Sequence, residues 1–144
     1  MAKILEDVKV NVKVKLALLW VVLMFFYLYN DVFSLFQLGI IGELITGELA
    51  GSEITQVFLF GAAILMAIPI FMVFLSLALP AKVNRWANII LGIVYAVVLV
   101  TTLFVPGETW AYYAIYMIFE AVFIVLIIWH ACKWPTQELK SKSS

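Results

Sequence analysis

One cysteine and one histidine are all that this chain offers of the two side chains most used to hold zinc. Cys132 alone cannot close an intramolecular disulfide, and a CxxC redox pair is excluded. With His130 as the sole imidazole, a zinc site built from several Cys and His ligands is excluded, and so is a bis-histidine haem. No GxxxxGK[ST], HExxH or GxSxG pattern occurs, so nucleotide-binding, zincin and serine-hydrolase readings have no footing. No catalytic residue, metal ligand or cofactor is therefore assigned. Charge is scarce too. The chain is 12% charged and 66% hydrophobic, with a mean hydropathy of +1.12, whereas a soluble domain carries about 25% charged residues. Such a chain cannot cover a water-facing surface, and an integral membrane protein is expected. The first apolar run is too long for the apolar core of a signal peptide, and no small-residue cleavage site follows it.

A second absence sets the orientation. Basic residues occur only before the first apolar stretch (Lys3, Lys9, Lys13, Lys15), between the second and third (Lys82, Arg85) and after the fourth (Lys133, Lys140, Lys142). The other two gaps hold Glu43, Glu48, Glu53 and Glu108 and no Lys or Arg. Loops rich in Lys and Arg stay cytoplasmic, so the pattern predicts four spans with both termini on the cytoplasmic side of the inner membrane. The net charge is zero. Spreading the cations over three segments argues for orientation and against nucleic-acid binding.

The expected fold is all-α: an integral membrane four-helix up-down-up-down bundle. Residues 1–15 form a basic cytoplasmic arm whose valines fit either a strand or a helical face; a helical lead-in at the lipid surface is favoured. Transmembrane helix 1 is placed at 16–36, close to the ~20 residues that a ~30 Å hydrocarbon core requires. A glycine-rich amphipathic segment at 37–53 follows on the outer side. Helix 2 is placed at 54–79, with Ser52 as its N-cap and Pro69 as a kink. Helix 3 is placed at 85–105, Pro106-Gly107 makes an outer turn, and helix 4 is placed at 109–132 before a tail at 133–144. Trp110, Trp129 and Trp134 suit the membrane interfaces.

Two acids are left at membrane depth. Glu120 lies about 18 Å from either end of its helix, and Asp31 about 9 Å from the outer end of its own, by helical rise. Tyr116 and Tyr113 stand one and two turns before Glu120 on the same face. A charged carboxylate in hydrocarbon costs several kcal/mol, so Glu120 must be protonated, hydrogen-bonded or wet. It is then either a proton-carrying or ligand-binding group in a cavity, or a neutral acid bonded to a tyrosine that holds helices together. Asp31, Gln56, Thr101, Thr102, Tyr112 and Tyr113 share one depth and suggest an outward pocket built from all four helices. The other reading lets Asp31 reach the outer interface and cap the glycine-rich segment. Asn84, Asn88, Gly92, Tyr95 and Thr102 form one stripe on the third span, with Tyr95 near the level of Glu120 and its first candidate partner. That stripe equally suits interhelical polar contacts.

Tyr29-Asn30-Asp31, Ile54-Thr55-Gln56 and the run from Lys82 to Asn88 resemble a family of small prokaryotic four-span membrane proteins of unknown function. The resemblance covers roughly residues 15–134. It implies a compact four-helix membrane domain and no established activity. A likeness to small multidrug transporters fails, because their intramembrane glutamate lies in the first span and the deep one here lies in the fourth.

The leading reading is a protein that binds or carries a small amphipathic molecule or lipid in an outward-facing polar pocket, with a proton-linked variant. Asp31, Gln56 and Tyr113 would orient a polar head, and Tyr95, Tyr116 and Glu120 would form the deeper wall and floor. The alternative is a structural or accessory subunit with no ligand of its own, held to a second copy or to a partner membrane protein by the small residues of spans two and three. An enzyme is the least supported class. Membrane lipids are expected partners on every reading.

Overall fold

The structure, a computed structural model, describes residue 5, residues 7–105 and residues 110–136. The Pro106-Gly107 turn, most of the tail and the first four residues of the arm lie outside the described residues. The elements are α1 (Val12–Ser34), α2 (Ile40–Thr46), β1 (Glu48–Leu49), β2 (Ser52–Glu53), α3 (Gln56–Ala78), α4 (Ala81–Thr102) and α5 (Ala111–Cys132). The fold is all-α apart from the two short strands. Four of the five helices, α1, α3, α4 and α5, are long and apolar enough to cross a membrane.

Local chemistry sets the helix ends. The Asn11 carboxamide accepts from the Lys13 backbone N–H at 2.9 Å and starts α1 at Val12. Residues 7–11 are not helical, so the expected lead-in helix is absent there. The start of α3 also differs from expectation. Thr55 is its N-cap, accepting from Phe58 N at 3.1 Å, while Ser52 belongs to β2. Helix α3 runs unbroken through Pro69.

The glycine-rich segment holds a helix and a hairpin. Helix α2 ends at Gly47, whose φ of 81° suits a left-handed C-cap that a side chain would disfavour. Strands β1 and β2 then pair antiparallel, Glu48 with Glu53 and Leu49 with Ser52. Ala50 and Gly51 between them have φ of 49° and 75°. Two successive positive φ values make the tight turn whose twist matches a hairpin. Alanine is unusual there, and its N–H is held by the Glu43 carboxylate at 3.2 Å. The hairpin was not expected, because two-residue strands carry no readable period.

Helix α1 packs along both α3 and α5, and α5 packs along α4; α3 and α4 meet over a shorter length. The start of α1 lies beside the end of α3, where the Lys13 ammonium donates to the Leu79 and Leu77 carbonyls at 2.6 and 3.3 Å. A cation at a helix C-terminus satisfies carbonyls that have no partner within the helix. The far end of α1 lies beside the start of α5, where Tyr112 meets Ser34 and Gln37.

The buried positions fall at helical spacing on each long helix. They are Leu16, Ala17, Trp20 and Leu23 on α1; Pro69, Met72 and Ser76 on α3; Asn84, Asn88, Gly92 and Tyr95 on α4; and Glu120, Ile124, Ile127 and Ala131 on α5. Most lie toward the end of the bundle where α1 and α4 begin and α3 and α5 end, and Tyr95 and Glu120 reach just past its middle. Lys13, Lys15, Lys82, Arg85 and Lys133 stand at that end, the basic end. Past the level of Tyr95 and Glu120 no described residue is fully buried, and α3 is exposed from Gln56 to Ile64. The outward faces of the long helices are apolar, including Leu18, Phe25, Phe60, Phe71, Ile93 and Val125, a surface suited to hydrocarbon.

Close approach of α4 and α5 depends on Gly92. A Cβ built there would lie 2.6 Å from Ile128 Cγ1. Gly92→Ala is therefore expected to destabilise the bundle by about 1–3 kcal/mol through overpacking. Thermal unfolding in nanodiscs checks this, and Ile128→Ala should recover part of the loss when combined with Gly92→Ala.

Candidate functional site

Two polar systems occupy the interior, and they differ in how completely they are satisfied. The first ties the basic half together. Trp20 Nε1–H on α1 donates to Asn88 Oδ1 on α4 at 2.7 Å. Asn88 Nδ2 donates to Asn84 Oδ1 at 2.7 Å and to the Asn84 carbonyl at 2.9 Å. Asn84 Nδ2 in turn donates to the Ser76 carbonyl on α3, and the Ser76 hydroxyl lies 3.5 Å from Asn88 Oδ1. All four side chains are fully buried, and each has partners. A satisfied interior network of this kind joins helices and fixes their register. The polar stripe of α4 thus serves as interhelical contact at its basic end. Trp20 and Ser76 were not singled out from sequence. The available signal was a tryptophan in mid-span, where its indole N–H needs an acceptor.

Tyr95 continues the stripe, and its hydroxyl is already used. It donates to the Leu65 carbonyl of α3, so it is not the partner of Glu120. The reason lies in Pro69. Proline has no N–H, so the carbonyl four residues earlier, that of Leu65, loses its regular helical donor. Tyr95 replaces that donor from the neighbouring helix. Its ring is held edge-on by Trp20, with centroids 5.7 Å apart, and lies 6.2 Å from that of Tyr27.

Glu120 is different. It is 4% exposed, and its Oε1 accepts no hydrogen bond from the described residues. The same holds for Asn30 Oδ1 on α1. Tyr27, three residues before Asn30 on α1, packs against the core cluster. Glu120 is the buried position of α5 farthest from the basic end, as Leu23, Pro69 and Tyr95 are on the other long helices. It sits where the packed half meets the open half. An acceptor buried without a donor is expensive, so this boundary is chemically unfinished where the Trp20–Asn88 network is complete.

The remaining sequence-selected residues line the far half. Tyr116 packs edge-on against Phe26 and Phe33, with centroids 5.6 and 5.9 Å away. Tyr113 is half-buried beside Tyr112. Asp31 is exposed on α1, and Gln56 is exposed at the first position of α3. Tyr112, given less weight from sequence than Tyr113, makes the polar contacts at this end, bonding Ser34 Oγ at 3.0 Å and Gln37 Nε2 at 2.5 Å. Beside it a groove of about 220 Å³ is lined by Phe33, Phe36, Gln37, Trp110 and Tyr112. Tyr116 thus stands between α1 and α5 one turn beyond Glu120, while Asp31 remains exposed on α1. Gln56 stands apart at the mouth of α3.

Tyr95→Phe should destabilise the wild-type bundle by about 1 kcal/mol, the scale of one lost hydrogen bond. In a Pro69→Ala background the alanine N–H can take the Leu65 carbonyl, and the same substitution should then cost almost nothing. A double-mutant cycle on thermal stability reads the difference.

A model of a family of unknown function, DUF6326, matches residues 2–141, and the chain belongs to that family. No curated protein and no solved structure matches it.

Proposed function

We propose that this DUF6326 member is a multi-pass protein of the cytoplasmic membrane that binds or carries a small amphipathic molecule or lipid in its outer half. In this reading α1, α3, α4 and α5 cross the membrane up-down-up-down, with the basic end and both termini cytoplasmic. The packed half lies in the inner leaflet and closes the bundle there. The open half lies in the outer leaflet, and Glu120 stands at its floor.

The observation that carries the reading is a buried acceptor without a donor, Glu120 Oε1, at the boundary of the packed and open halves, with a second, Asn30 Oδ1, farther out along α1 in the open half. A polar group kept unsatisfied in an otherwise well-paired interior is retained against a stability cost, as groups kept for function are. Acceptors call for a donor, so the ligand's head is a hydroxyl, an amine or a protonated acid. Asp31 would meet that head on its way in. Tyr113 and Tyr116 offer an amphipathic wall, and Phe26 and Phe33 the apolar one. A proton on Glu120 is the smallest such donor, which admits a proton-linked carrier.

Two outcomes test this. Glu120→Gln keeps the size and removes the ionisable group; it should be at least as stable as wild type by thermal unfolding in nanodiscs. Native mass spectrometry of protein purified from its own membranes should show a retained small molecule on wild type that is lost from the Asp31→Asn/Glu120→Gln pair. Unchanged retention would sink the proposal. For orientation, single cysteines are placed at Glu48 and at Lys82 in a Cys132→Ser background. A membrane-impermeant maleimide should label the first on intact cells and the second only after lysis.

A second reading has one observation in its favour. Gly61, Ala62 and Ala63 are exposed small residues in succession on α3, and a Cβ at Gly61 would meet nothing within 4 Å. Small residues on an exposed helix let another helix approach closely, as an accessory subunit docked on a partner would need. Cross-linking in native membranes that traps a defined partner through α3 would favour it over the carrier.

A further inference from the structure

Alongside the packed core, with its mouth at the basic end, a second groove of about 240 Å³ is lined by Lys15, Leu18, Leu19, Val22 and His130. It runs between α1 and α5. Lys15, Leu18, Leu19 and Val22 follow one another at i, i+3, i+4 and i+7, so they form a single face of α1. The groove is therefore polar at its mouth and apolar along its length. From Lys15 to Val22 the helix rises about 10 Å, most of the ~15 Å half-thickness of a bilayer's hydrocarbon core.

The two polar groups at the mouth are differently placed from their neighbours. Lys13 is engaged, with its ammonium on the Leu77 and Leu79 carbonyls. The Lys133 ammonium stands 3.8 Å over the Trp129 ring. Lys15 makes no side-chain hydrogen bond among the described residues and faces the groove. His130 turns Nδ1 to the Leu126 carbonyl at 2.8 Å, which leaves Nε2 as the open edge of the ring. A doubly protonated imidazole donates from both nitrogens, so it can serve that carbonyl and an anion together.

We propose that this groove holds one acyl chain of an anionic phospholipid of the cytoplasmic leaflet, with Lys15 and His130 at its phosphate. Charge at the mouth complements a phosphate, and the apolar face matches an acyl chain in direction and depth. Basic pockets between helices on the cytoplasmic side are suited to such head groups. The site shares no residue with the outer pocket. It rests on the membrane orientation proposed above and not on the nature of the ligand proposed there.

The test is native mass spectrometry of the full chain released from nanodiscs made of equal parts phosphatidylglycerol and phosphatidylcholine. Wild type should retain phosphatidylglycerol in preference, and Lys15→Gln/His130→Gln should lower that retention about tenfold. Lys9→Gln/Lys133→Gln removes charge at the same end but outside the groove and should keep it. Equal retention of the two lipids by wild type overturns the proposal, as does equal loss in both charge variants. Leu18→Trp/Val22→Trp fills the groove and leaves both polar groups in place; it should also lose the lipid, and undiminished retention there overturns the proposal even where the charge variant folds poorly. Asp31→Asn/Glu120→Gln should keep its phosphatidylglycerol, so a failed outer pocket and a failed inner groove read differently.

Discussion

Everything in the packed half hangs on the chain of hydrogen bonds that begins at the Trp20 indole and passes through Asn88 and Asn84 to Ser76. Among apolar surroundings a Leu face gains little by preferring a neighbouring helix over a lipid tail, so shape and polar pairing decide which helices associate. The chain joins α1, α3 and α4 at one level. Gly92 then lets α5 come against α4 at a distance that a side chain would forbid. Tyr95 closes the same half by supplying the donor that Pro69 takes from Leu65. The network and the Tyr95 bond meet the same demand, that no donor or acceptor be left without a partner in an apolar interior.

Set beside that half, the region around Glu120 stands out by its chemistry rather than its burial. Asn84 and Asn88 are as deeply buried as Glu120, yet they are bonded on every side. Glu120 and Asn30 leave an oxygen open. Polarity inside an apolar bundle is therefore of two kinds in this molecule, one consumed by architecture and one left over. The leftover kind begins with Glu120, at the level where close packing stops, and recurs farther out at Asn30.

How much of this was legible depends on the range of the interaction. Hydropathy, the period of the polar stripe on α4 and the segregation of Lys and Arg are properties of local stretches. They suffice for four long helices, for an inward face through Asn84, Asn88, Gly92 and Tyr95, and for Asp31 and Glu120 as the conspicuous acids. The hairpin at Ala50-Gly51 was not legible, since two-residue strands have no period to read. Nor was the N-cap of α3 at Thr55, three residues beyond Ser52, because both residue types are competent caps and only the chain's path chooses between them.

The amino-acid sequence by itself determined that this protein is made of long apolar helices with basic residues confined to three segments, because composition and periodicity act within each helix. Tertiary structure alone decided what each polar side chain touches. Tyr95 could have met Glu120 by depth, and it meets Leu65 instead, since a proline on another helix left a carbonyl open there. Lys13 caps α3 while Lys15, two residues on, is left facing a groove, because adjacent residues on a helix point to different neighbours. Which group is satisfied and which is left over is settled only when the helices come together, since a hydrogen bond between helices depends on the position of both and is written in neither.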